Sequence, residues 1–231
     1  MKYTKIFLVV YIIVGLADTL SWIIPSDLLH TISKPLIMPV LMAYIIQVSI
    51  TKGKFDYRNM ILLVSLVFYW AGDTIVMINK DLSFVGALGM LLIGMIISIY
   101  AFFIATDKLS VKPLLAVPYL AFGTIFYVIL LPELGAFAGP TTVFALVMVT
   151  VPFIAHCRKG QTTQESFQHV LIGSILLLIS NCIAGIDRFG IVANVFTAAG
   201  SIATYCAAHW LIVQGIMLHP LKETAEEALP I

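Results

Sequence analysis

A carboxylate stands in a stretch of chain where water is expected to be scarce. The run Asn59–Ile78, NMILLVSLVFYWAGDTIVMI, is apolar enough to cross a bilayer and carries one acid, Asp73. At about 1.5 Å of rise per residue a helix over it covers roughly 30 Å, the thickness of a hydrocarbon core. An ionised Asp in that setting costs about 2.5–3.5 kcal/mol on insertion scales, so it is expected only where something compensates or uses it. On burial alone two readings stay open: a functional carboxyl, or one that hydrogen-bonds a neighbouring helix. The functional reading has a definite chemistry, because a carboxyl group held neutral by apolar surroundings is a suitable proton donor.

Helical spacing gathers further polar residues onto single faces. Ser65, Tyr69 and Asp73 recur at i, i+4, i+8; Ser174 and Asn181 share a face; Thr197, Ser201, Tyr205 and His209 do the same near the C-terminal end. Such stripes either line a common cavity or make ordinary interhelical contacts, since Ser and Thr are frequent packing residues in membranes. The row Ala199, Ala203, Ala207 reads as close helix packing. His30, His156, His169 and His219 lie near the ends of apolar runs without ligand spacing and are expected at the surface or interface. Cys157, Cys182 and Cys206 are scattered in apolar surroundings, so neither a disulfide framework nor a zinc site is indicated. Neither a metal nor a cofactor is expected. The absence of a phosphate-cradling Gly loop, a nucleophile elbow and an HExxH pattern argues against NTPase, serine-hydrolase and zinc-protease chemistry.

The elements that must position these side chains follow from composition. Of 231 residues, 61% are hydrophobic and 11% charged, and mean hydropathy is +1.04, well beyond a soluble domain. The fold class expected is an all-α polytopic membrane helix bundle with about eight transmembrane helices. The runs are Lys5–Ile24, Pro35–Ile50, Asn59–Ile78, Phe84–Ala105, Pro113–Leu131, Pro140–Cys157, Gln168–Ile186 and Val192–Leu218. The breaks are too short for a soluble domain, so residues 1–218 form one bundle and 219–231 a short polar tail. The opening stretch lacks a cleavage pattern and reads as a retained first span. Pro35, Pro113 and Pro140 are expected to open spans, and Pro39, Pro118 and Pro152 to fall inside them.

Basic residues test the count independently, because Lys and Arg concentrate on the cytoplasmic side. With both termini inside, Lys2, Lys5, Lys52, Lys54, Arg58, Lys108, Lys112, Arg158, Lys159 and Lys222 lie inside, ten of the 13 Lys and Arg. Lys34, Lys80 and Arg188 then lie outside. The same topology brings Asp18, Lys34, Asp73, Asn181 and Asp187 to one depth toward the outer face. Asp187 and Arg188, at a span end, are expected to pair with each other. Net charge of +1 and the lack of a basic stripe give no nucleic-acid signature. The partners expected are the lipid bilayer and a membrane lipid or lysolipid.

Five stretches in order resemble the YhhN family of eight-span membrane proteins, which includes the vertebrate lysoplasmalogenases. They are SKPLIMPVL (33–41), AGDTIVM (71–77), FVGALGMLLIG (84–94), GSILLLISNCIAGIDRF (173–189) and TYCAAHWLIVQ (204–214). In the characterised branch the marks are a Lys-Pro-Leu opening the second span, a Gly-Asp late in the third and a Ser-Asp late in the seventh. Here they are Lys34-Pro35-Leu36, Gly72-Asp73 and Ser180-Asn181, so the second aspartate has become its amide. Met95 and Ser98 stand where many relatives carry His and Tyr, whereas Tyr205 and His209 keep to the pattern.

The resemblance implies hydrolysis of the vinyl-ether bond of a lysoplasmalogen to a fatty aldehyde and a glycerophospho-ethanolamine or -choline; the location expected is a bacterial inner membrane. Asp73 is then the expected proton donor, with Asn181 orienting water or the ether oxygen, because an amide cannot titrate. Lys34, Tyr69, Ser180 and Tyr205 are the expected substrate-binding side chains, Lys34 meeting the phosphate or offsetting Asp73. A different class stays open beside it: a non-catalytic lipid-binding or transport protein that keeps the cavity and has lost the chemistry.

Overall fold

The computed structural model describes residues 2–24, 26–51, 53, 55–78 and 83–219, the side chains of residues 2–4 and 78 excepted. The expected tail beyond His219, and Lys52, Lys54, Lys80 and Lys222 from the charge partition, lie outside the described residues, as does the Lys2 side chain. Among the described residues there are eight α-helices and no strand: α1 (Lys2–Ile23), α2 (Asp27–Thr51), α3 (Tyr57–Ile78), α4 (Phe84–Ile104), α5 (Val117–Leu134), α6 (Ala138–Cys157), α7 (Gln164–Arg188) and α8 (Val195–Leu218). Seven stretches are long and apolar enough to cross a membrane, and one of them, Pro113–Cys157, is 45 residues long. It holds both α5 and α6, joined by the 3-10 turn Gly135–Phe137. At about 1.5 Å per residue, 45 helical residues would exceed two bilayer cores, so the stretch folds back on itself.

Two helix starts differ from expectation. Pro35 does not open the second span; α2 begins at Asp27 and carries both Pro35 and Pro39 inside it. The reason lies in α3. Pro39 has no N–H for the carbonyl of Pro35, and Trp70 Nε1 donates to that carbonyl instead, at 3.0 Å. Pro118 in turn opens α5 rather than interrupting it, as its fixed φ and missing N–H suit a first turn.

Neighbour contacts close a ring, α1–α2–α3–α4–α6–α7–α8 and back to α1, with α5 set outside against α6 and touching α7. The core inside the ring includes Tyr11, Leu41, Leu66, Met95, Phe102, Val151, Leu177 and Val213. The alanine row does not make the expected packing surface: Ala203 and Ala207 are exposed and only Ala199 is buried. The three cysteines are buried and free.

One end of the bundle is tied by buried charge. Arg158, just past α6, is fully buried; its Nη2 donates to the carbonyl of Ala105 at 2.9 Å and Ser166 Oγ at 3.2 Å, and its Nε to Thr106 Oγ1 at 3.1 Å. Burial, reinforced by the Arg58 charge, pulls the guanidinium down to about 10, still charged at neutral pH. Arg58 donates to the carbonyl of His219 and, at 2.8 Å, to Asp56 Oδ2. His219 is therefore not at the surface as expected but buried, receiving the Thr163 N–H on Nδ1 at 3.4 Å and facing Asp107 Oδ1 at 3.5 Å through Nε2.

Burial pushes the His219 imidazole below its usual 6.5, with Asp107 opposing and the two arginines assisting. The unfolded chain takes a proton near pH 6.5 that the folded site resists, so unfolding absorbs a proton and stability falls as pH drops through that range. Melting temperature in detergent micelles is expected to decline from pH 7.5 to pH 5, and His219→Gln, which can keep both neighbours, to flatten that decline. An unchanged slope would contradict the assignment.

Candidate functional site

At the other end, where α1, α3, α5 and α7 finish and α2, α4, α6 and α8 begin, all eight helices border one cavity of about 230 Å³. This is the alternation of an antiparallel bundle, and it brings residues distant in sequence to one depth. The polar residues of the wall include Asp18, Lys34, Asp73, Ser180, Asn181, Arg188 and Tyr205; the apolar ones include Phe84, Leu88, Leu91, Phe126, Leu130, Phe144 and Met148.

Asp73 is held from two directions. Tyr205, on α8, donates its hydroxyl to Asp73 Oδ2 at 2.8 Å, which leaves Oδ1 as the atom available to the cavity. Beside it, Gly72 lets α3 lie close on α4: a Cβ there would sit 2.8 Å from Leu91 Cγ and 3.1 Å from the carbonyl of Ala87. The charges within electrostatic reach of Asp73 are Lys34 and Asp18. Because α2 starts early, Lys34 stands in its second turn and borders the cavity, and the Trp70 bond to Pro35 fixes that turn against α3.

Asn181 borders the cavity too. One N–H of its Nδ2 donates to the carbonyl of Leu177 at 2.9 Å, which leaves the amide oxygen, an acceptor, and the second N–H for cavity contents. Ser180 spends its hydroxyl proton on the carbonyl of Ser201 at 2.8 Å, a tie between α7 and α8. Tyr69 is buried and stands outside the cavity wall; its ring meets His209 at 4.3 Å, and His209 meets Tyr205 at 4.3 Å. The polar stripes thus divide by depth. Ser65 and Ser174 bond back to carbonyls of their own helices, while Asp73, Asn181, Ser201 and Tyr205 reach the cavity.

Beside Tyr127, three polar residues not singled out for the site border it as well. Arg188 lies over the Phe84 ring at 5.0 Å, while Asp187 accepts the Thr197 hydroxyl at 2.6 Å, in place of the simple pair expected. Thr141 comes from α6. The third is Asp18, whose Oδ1 accepts from Ser33 Oγ at 2.8 Å and faces His30 Nδ1 at 2.9 Å. His30 is therefore not a plain interfacial residue; it is half-buried against Asp18 and the edge of Trp22. The alternation of spans already put Asp18 level with Asp73, and that was the signal available for it.

No curated protein and no solved structure matches the chain. Comparison with known families matches residues 29–216, which hold all the cavity helices but α1. On that match, spanning most of the sequence, the chain belongs to the YhhN family.

Proposed function

We propose that this protein is a membrane-embedded hydrolase that cleaves the vinyl-ether bond of lysoplasmalogens, with Asp73 as proton donor. The observation that carries the proposal is the Asp73 carboxyl, one oxygen accepting from Tyr205 and the other without a hydrogen-bond partner among the described residues, on the wall of a largely apolar cavity that also presents Asp18, Lys34 and Arg188. In this reading the cavity faces the outer leaflet of a bacterial inner membrane, where a single-chain lipid can enter; the partition of basic residues supports that orientation. The alkenyl chain lies against the apolar wall, and the phosphate meets Lys34 and Arg188 as charge-assisted partners.

In this reading the protonated Asp73 delivers its proton to the alkenyl carbon distal to the ether oxygen, leaving an oxocarbenium ion. Water then adds to the cationic carbon, and the hemiacetal opens to a fatty aldehyde and a glycerophospho-alcohol. Asn181, through its amide oxygen, orients the attacking water. Asn181 also favours a second reading, because an amide cannot take the water's proton: a lipid-binding protein that holds the same amphiphile without cleaving it.

Purified protein incubated with lysolipids differing only in vinyl-ether, alkyl-ether or ester linkage separates the two. Mass spectrometry is expected to show aldehyde from the vinyl ether alone. A lysolipid retained by the protein and recovered intact after long incubation would establish the binding reading and overturn hydrolysis.

A further inference from the structure

The hydrolase reading, on which this inference rests, lacks one part: a group to receive the proton of the attacking water while Asp73 is regenerated. Asn181, on the cavity wall, is an amide and has no proton-accepting role of that kind. We infer that Asp18, from α1, is the second carboxylate of this site.

Asp18 borders the cavity and is 0% exposed to solvent, so its charge is screened by protein alone. One oxygen is fully engaged: Oδ1 takes the Ser33 hydroxyl at 2.8 Å and lies 2.9 Å from His30 Nδ1. The other, Oδ2, is buried without a hydrogen-bond partner among the described residues. Leaving a buried carboxylate oxygen unpaired costs on the order of 1–3 kcal/mol or more, a deficit that a water or a substrate hydroxyl entering from the cavity offsets once the side chains packed over Oδ2 shift to admit it. Asp18 is also one of the charges in electrostatic reach of Asp73, with Lys34 as the nearby cation. Two carboxyls in one pocket, one braced by a tyrosine and the other by a serine and a histidine, have different surroundings, which is the condition for one to act as acid and the other as base. Asp18 lies outside the stretch matched to the family.

The proton count closes. The Asp73 carboxyl gives its proton to the distal alkenyl carbon, forming a C–H bond as the C=C electrons shift. The attacking water forms the C–O bond and loses a proton to Asp18 Oδ2. When the hemiacetal opens, its hydroxyl proton goes to the departing glycerol oxygen as the C–O bond breaks. Asp18 then returns its proton to Asp73, so one water is consumed and no proton is gained or lost. His30 and Ser33 keep the carboxylate oriented throughout.

The test is a rescue across the cavity. In Asp18→Asn the remaining amide oxygen can still accept from Ser33 and His30, so the fold is retained, and turnover is expected to fall about 100-fold or more, the usual range for a lost general base. Asn181→Asp, placed in the Asp18→Asn background, supplies a carboxylate to the same cavity from α7 and is expected to restore turnover to within about tenfold of Asn181→Asp alone. A merely structural role for Asp18 would not respond to an acid placed on α7. Undiminished turnover in Asp18→Asn, or a loss that Asn181→Asp does not recover, overturns the inference while leaving the hydrolase reading standing. A wild-type protein that releases no aldehyde overturns both. Should Asp18→Asn fail to fold, Asp18→Ser takes its place, with recovery of turnover by added formate as the expected result and no recovery as the overturning one.

Discussion

Asp73→Asn is expected to lower aldehyde release by about 100- to 10,000-fold, the range found when a positioned proton donor is removed, without unfolding the bundle. The amide oxygen of an asparagine at this place can accept the Tyr205 hydroxyl as Asp73 Oδ2 does at 2.8 Å, so the tie between α3 and α8 survives. What disappears is the acidic proton. The loss is therefore expected in kcat, with lysolipid binding kept, because Lys34, Arg188 and the apolar wall are untouched. Equal melting temperatures and a lost turnover together identify Asp73 as the acid. A variant that turns over like the wild type would remove Asp73 from the chemistry, and with it the reading of the cavity as an active site.

The second large effect concerns stability. α7 and α8 form the most extensive contact in the bundle, and two glycines allow it. A Cβ on Gly173 would fall 2.8 Å from the carbonyl oxygen of Ala208 and 2.9 Å from the backbone nitrogen of Ile212; one on Gly215 would fall 2.8 Å from the backbone nitrogen of Val170. These are backbone atoms, which cannot swing aside as a side chain can, so a methyl group must part the helices. Small residues at such crossings are how membrane helices reach close packing. Gly173→Ala and Gly215→Ala are each expected to destabilise by about 1–3 kcal/mol, as overpacking does elsewhere, seen as a melting temperature lower by several degrees in micelles.

The same separation reaches the cavity. The bonds Ser166 Oγ to the Gly215 carbonyl, 2.6 Å, and Ser180 Oγ to the Ser201 carbonyl, 2.8 Å, span this seam, and its two helices carry Asn181 and Tyr205 to the cavity wall. Gly200 provides the contrast. A methyl group there would meet nothing within 4 Å, so Gly200→Ala should be neutral or gain up to about 1 kcal/mol from helix propensity. Similar losses at all three positions would show that propensity or handling, not helix approach, sets the outcome.

Sequence and tertiary structure divide the work in both cases. Apolar length determined the helices, since a stretch such as Phe84–Ile104 has no other way to satisfy its backbone in a membrane. Alternation of direction then determined that Asp18, Lys34, Asp73 and Asn181 share a depth, because consecutive spans run antiparallel. Neither property depends on which helices touch. Rotation about each axis was a different matter. Period alone put Ser65, Tyr69 and Asp73 on one face, but only packing against α8 separated Asp73, on the cavity wall, from Tyr69, buried against His209. The alanine row failed for the same reason: spacing gives a stripe, and the neighbour decides which stripe is inside. The turn that carries Lys34 is tied to α3 by a bond between helices that no local pattern announces: Trp70 donates to the Pro35 carbonyl that Pro39 leaves unpaired. What the sequence by itself determined is thus the number, direction and depth of the elements, quantities set by each segment's own transfer from water. Which side chains meet was decided by the tertiary structure, because contact depends on pairwise fit between helices far apart in the chain.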